Sequence, residues 1–117
     1  MGIGFKRADR VGDLILKEIS QMILKEDIRD PRVQFVLLTG IKITDDLSLA
    51  RVYFTFMNDE VDKKDILEGL QSASGFIKRE LSRRIRMRRI PNLEFKFDTV
   101  LEEAYRVDDL LRGLKVE

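Results

Sequence analysis

Between residues 66 and 85 the apolar positions Ile66, Leu67, Leu70, Ala73, Ile77, Leu81 and Ile85 recur at helical spacing without losing phase. Two helices joined by a loop would normally reset that phase, so the pattern predicts a single helical path with one face on a core. Yet Ser72-Ala73-Ser74-Gly75 occupies its middle. Glycine in a helix interior costs about 1 kcal/mol relative to alanine, and serines offer the backbone competing hydrogen bonds. The expected result is a kink. Small side chains would let another backbone come close, and a bend would free N–H groups that, with the helix dipole, suit phosphate. The competing reading is a packing kink, with the small residues making room for the first helix.

The residues that follow bear on that choice. Residues 70–97 carry eight cations (Lys78, Arg79, Arg83, Arg84, Arg86, Arg88, Arg89 and Lys96) against Glu80 and Glu94, a local charge of about +6. The whole chain is only +1, so the remainder is acidic by about five charges. Such asymmetry puts a basic face on an acidic body, and a basic face attracts a polyanion. A charge run can equally be a solvated helix surface. On a helical wheel Lys78, Arg79, Arg83, Arg86 and Arg89 lie opposite the Ile77-Leu81-Ile85 stripe, while Arg84 and Arg88 fall near it. A close backbone approach leading into a basic face suits the backbone of RNA. Phe76 is the one aromatic residue near the kink, which favours phosphate and shape contacts over a base-stacking platform.

The rest of the chain supplies the layers. Val11, Leu14, Ile15, Ile19, Met22 and Ile23 predict an amphipathic helix over 8–25, with Arg7, Arg10 and Lys17 off its stripe. Asp30-Pro31 closes the next connection. Strands are expected over Phe35–Thr44 and Ala50–Met57, joined as an antiparallel hairpin by a turn at Asp45-Asp46. After Pro91, Leu93, Phe95 and Phe97 alternate with polar residues as a third strand with one wet face. Asp98-Thr99 suggests the cap of a final helix bearing Val107, Leu110, Leu111 and Leu114, so 99–117 is a possible C-terminal helical extension. The order is helix, strand, strand, kinked helix, strand and C-terminal helix: an α+β layer with helices on one face of a three-stranded sheet.

At 117 residues this is a single domain, 1–117. It contains no Cys and no His, which removes disulfides, thiol nucleophiles, the usual zinc ligands and the commonest general base. The paired acids Asp45-Asp46, Asp59-Glu60, Glu102-Glu103 and Asp108-Asp109 fall in turns or on solvated helix faces, the ordinary place for adjacent carboxylates. No enzyme, no cofactor and no metal are expected. Nothing resembles a signal peptide or a membrane span, so a cytoplasmic protein is the default. A helix-turn-helix DNA binder fits poorly with three strands. A membrane-surface or calmodulin-type basic helix fits poorly with an apolar side committed to a core.

Several stretches, taken in order and spacing, resemble one family. They are Arg10-Val11 leading the first helix, Asp30-Pro31-Arg32-Val33, and Asp46-Leu47-Ser48-Leu49-Ala50-Arg51-Val52-Tyr53 across the hairpin. Ala73-Ser74-Gly75-Phe76-Ile77-Lys78-Arg79-Glu80-Leu81 and Arg88-Arg89-Ile90-Pro91-Asn92-Leu93-Glu94-Phe95 with Asp98 complete the set. Nearly the whole chain is similar to the ribosome-binding factor A family of bacterial small-subunit maturation factors. The resemblance implies a KH-like fold of type II, in which an Ala-x-Gly kink (here Ala73-Ser74-Gly75) replaces the GxxG loop of ordinary KH domains. It also implies a protein that binds 16S rRNA in free or immature 30S subunits and helps the 5′ end of the precursor mature, especially in the cold; a monomer is expected. The RNA-binding residues expected on both grounds are Ser72, Ala73, Ser74, Gly75, Lys78, Arg79, Arg83, Arg86, Arg88 and Arg89, with Arg7 and Arg10 as secondary candidates. Lys78 stands where the family leads one to expect Arg, keeping the charge but losing the bidentate fork. The alternative is a generic KH-like domain binding single-stranded nucleic acid.

Overall fold

The computed structural model describes residues 3–57 and 60–100, with side chains from Arg7 onward. Helix α1 spans Ile3–Leu24, a 3-10 turn Pro31–Val33, strand β1 Val36–Ile43, β2 Leu49–Phe56, helix α2 Lys63–Arg84 and β3 Asn92–Phe97. The expected order therefore holds through the third strand. Thr99 and Val100 are helical, and the rest of the expected final helix, from residue 101 on, lies outside the described residues.

The sheet order is β1-β2-β3, with β1–β2 antiparallel and β2–β3 parallel. A parallel pair cannot be closed by a tight turn and needs a crossover, which is what makes α2 long. Alternation puts Ala50, Val52 and Phe54 of β2 on the buried face, with Val52 opposite both Ile41 and Phe95. Ile15, Ile19 and Met22 of α1 and Ile66, Leu70, Ile77 and Leu81 of α2 close over that face. Phe97 meets Phe54 edge-on at 5.7 Å, and the Lys63 ammonium lies 4.1 Å from the Phe97 ring centre. Leu14, expected on the α1 stripe, is 41% exposed. It sits about 100° from Ile15, at the margin of a face that Ala8 and Gly12 complete instead.

The corners are fixed by local chemistry. At the end of α1, Asp27 N donates to Met22 O and Glu26 N to Ile23 O, a Schellman pattern with Glu26 at φ 59°. Asp30 caps the 3-10 turn by accepting from Arg32 N at 3.0 Å, and its carboxylate also takes the Arg32 guanidinium at 2.7–3.2 Å. In the β1–β2 turn Asp46 Oδ1 accepts from Ser48 N, Ser48 Oγ and Thr44 Oγ1, which holds Leu47 at φ 61°. A bulge at Thr39 breaks the β1 register, and Thr39 Oγ1 donates to Asp98 Oδ2 at 2.6 Å.

Candidate nucleic-acid interface

Helix α2 runs without interruption from Asp62, whose carboxylate caps it at Lys64 N, to Arg84. The single helical path expected through Ser72–Gly75 is thus observed as one uninterrupted helix. Gly75 has no positive φ, so its backbone stays in the ordinary helical region. Ser74 Oγ donates to Leu70 O at 3.2 Å, the back-bonding that loosens a helix locally without breaking it. The amides beyond Gly75 accordingly stay in the helical ladder. An anion site made of freed N–H groups, expected from the sequence, is not what this segment provides.

It provides access instead. Gly75 is exposed, and a methyl built on it would meet only the far end of Arg79, at 3.8 Å. Gly75, Lys78, Arg79, Ser82 and Ile90 line a shallow open depression on this flank of α2. The tight packing that the sequence suggested for residues 72–75 occurs at Gly69, against side chains of the 3-10 turn. There an added Cβ would lie 3.1–3.2 Å from Val33 and Arg32 of the 3-10 turn. The packing role belongs to Gly69, and Gly75 is free of it.

The cations divide into three groups. Arg84 is consumed: its guanidinium lies 3.4 Å from Glu18, 3.2 Å from Asp27 and 3.6 Å from Glu80, tying the end of α2 to α1 and the turn after it. Lys78 is half-buried and donates to Asn92 Oδ1 at 2.8 Å, fixing the helix to the start of β3. A point donor serves that contact without a guanidinium fork. Arg79, Arg83, Arg86, Arg88 and Arg89 remain exposed. Of these only Arg83, 80% exposed, has a carboxylate within range among the described residues, Glu80 at 3.5 Å.

Arg86, Arg88 and Arg89 do not continue the helix, as the wheel assumed. Ile85 is extended (φ −118°, ψ 131°), and its N–H closes the last turn on Leu81 O. The chain must leave α2 there to enter β3 alongside β2, with Ile85, Ile90 and Pro91 buried as it turns. The phase survives at Ile85 because the core captures its side chain, not because the helix continues. These three arginines are presented by an exposed loop next to the depression. Arg83 and Arg84 also sit in the last helical turn, where the dipole favours cations by about 0.3–1 kcal/mol, so part of the charge run is structural.

Ser72 and Ala73 open to a different side. With Phe76, Glu80 and Arg84 they line a groove of about 820 Å³ whose far wall is residues 25–30. Arg7 and Arg10 are exposed on α1 and form no ion pair among the described residues. The expected site is therefore split: Gly75, Lys78 and Arg79 come together with the 86–89 loop, while Ser72 and Ala73 face the groove and Ser74 turns inward. Sequence reasoning missed Gly69, Glu26 and Leu47. Only Gly69 left a signal, a second glycine inside a helical pattern.

A family model described as Ribosome-binding factor A matches residues 7–111. Ribosome-binding factor A of Syntrophus aciditrophicus is 44% identical over 113 residues, 97% of this chain and 91% of that protein. That of Geotalea uraniireducens is 41% identical over 110 residues, 94% and 89%. The crystal structure of ribosome-binding factor A from Thermus thermophilus superposes with a TM-score of 0.69 at 24% identity, covering 77% of this chain and 93% of that one. A homology model of the Thermus thermophilus protein, fitted into a cryo-EM map of a 30S complex, gives 0.54 at 25% identity over 70% and 89%. The fold is the KH-like α+β arrangement of those structures. The chain belongs to the ribosome-binding factor A family.

Proposed function

We propose that this chain binds 16S rRNA in free or immature 30S subunits, as a monomer in the cytoplasm. There it assists late maturation, including processing of the 16S rRNA 5′ end. The observation that carries the reading is the cluster of exposed arginines, Arg79, Arg83, Arg86, Arg88 and Arg89, beside the uncovered helix backbone at Gly75. Guanidinium groups of this kind grip phosphates in sequence-independent fashion, and a flank without side-chain bulk lets the strand lie against α2. Ser72 and Ala73 extend the contact toward the neighbouring groove, Ser74 keeps the helix beneath it free of bulk, Lys78 anchors its edge, and Arg7 and Arg10 add a secondary contact from α1. The chemistry is binding without catalysis. Its benefit is greatest in the cold, when misfolded RNA is slow to rearrange. Membership of a ribosome-binding factor family and the 30S complex of the Thermus thermophilus relative support the partner. Co-sedimentation tests it: the protein should travel with free 30S subunits and not with 70S ribosomes. Equal binding to both, or to neither, would contradict the proposal.

A further inference from the structure

The groove between α2 and residues 25–30 is not accounted for by phosphate contacts. Its floor carries Phe76, half-buried, with one side packed on the core and the other toward the groove. Ser72 and Ala73, one turn earlier, are too small to cover the ring. The opposite wall is held in shape by the Schellman turn at Glu26 and the Asp30–Arg32 clasp. Three of the lining carboxylates are already engaged, Asp27 and Glu80 by Arg84 and Asp30 by Arg32. Lys25 and Arg29 are exposed at the rim beside Glu26.

The groove also adjoins the basic flank. At about 100° per residue, Arg79, Ser72 and Arg83 occupy the strip of α2 between Gly75 and Phe76. A strand whose phosphates meet Arg79 and Arg83 therefore has the groove within reach of its bases. We propose that the groove is a base-binding subsite. A nucleobase turned out of the RNA stacks on Phe76 between α2 and the 25–30 wall, and Lys25 and Arg29 meet its flanking phosphates. This rests on the RNA-binding reading above and adds base contact to it. Stacking on an aromatic ring tolerates any base, so the subsite selects unpaired RNA over duplex without reading sequence.

The test compares a short oligo(A) with an abasic ribose-phosphate strand of equal length, titrated at the same salt. The two carry the same charge and differ only in bases. Native protein should prefer oligo(A) by about tenfold, the scale of one base–aromatic stack. Phe76→Leu should abolish the preference, and so should Ser72→Leu, which fills the groove from an exposed position and leaves the core untouched. Arg79→Glu should weaken both strands alike and keep the preference. A native protein with no preference, or a Ser72→Leu protein that retains it, overturns the subsite. The 30S sedimentation result decides the broader function separately.

Discussion

Helix α2 contains two glycines whose replacement by alanine should move stability in opposite directions. At Gly75 the backbone is ordinary helix and the new methyl has open space, with Arg79 Nη1 its nearest neighbour at 3.8 Å. The helix-propensity difference then acts unopposed, about 1 kcal/mol in favour of alanine. For a domain of this size that raises Tm by roughly 4 °C. At Gly69 the same methyl would sit 3.1 Å from Val33 Cγ1 and 3.2 Å from Arg32 Cβ and Nε. Val33 is buried, and Arg32 is clasped by Asp30, so neither yields freely. Overpacking of this kind costs about 1–3 kcal/mol, which cancels the propensity gain and leaves a net loss of up to about 2 kcal/mol. Urea denaturation of the two variants beside the native chain measures both signs. The functional prediction runs the other way: Gly75→Ala should weaken 30S binding several-fold, because the methyl enters the flank the strand lies on. Gly69→Ala, once folded, should bind normally. A Gly75→Ala protein that melts below native refutes the geometric argument. One that is stabilised yet binds unchanged refutes the approach of RNA to Gly75.

Phe95 is 3% exposed at the centre of the core, so Phe95→Ala should cost about 3–5 kcal/mol by denaturant titration. Glu26, at φ 59°, carries the strain of a side chain in the left-handed region, and Glu26→Gly should raise stability by up to about 1 kcal/mol. Acid stability should depend on two carboxylates. Asp30 is held below the usual range mainly by the Arg32 side chain, and Asp46 by the hydroxyls of Ser48 and then Thr44. Each contributes stability that is full above the ordinary carboxylate pKa near 4 and is lost as pH falls through its lower folded value. Asp30→Asn should therefore lower stability at neutral pH and flatten the acid limb, as read from urea midpoints against pH.

The layer architecture was legible because every element that builds it carries a period. The α1 stripe, the hairpin and the Leu93-Phe95-Phe97 alternation each led to the element observed, with ends moved by one to five residues. Periodicity could not locate the end of α2. Ile85 is apolar, in phase and buried, yet extended, since a core accepts a side chain at that position from either backbone. Nor could it tell which arginines are free. The pairing of Arg84 with Glu18 and Asp27 joins residues 66 and 57 apart in the chain, a tertiary fact with no local trace. The same holds for the two glycines: in sequence both are breaks in a helix, and only the position of the 3-10 turn distinguishes the one that packs from the one left open.

The proposed grip on ribosomal RNA is on its phosphates, by the exposed arginines of α2 and the 86–89 loop. Its most direct test is the salt dependence of binding to free 30S subunits. The log–log slope should scale at roughly 0.7–0.9 per phosphate neutralised. Reversing Arg79, Arg83 and Arg86 to Glu should weaken binding and flatten the slope, with the thermal melt retained. Reversing Glu102, Glu103, Asp108 and Asp109 to Lys should do neither. Equal effects from the two sets, or a native slope near zero, would show that the arginine cluster is only a solvated surface.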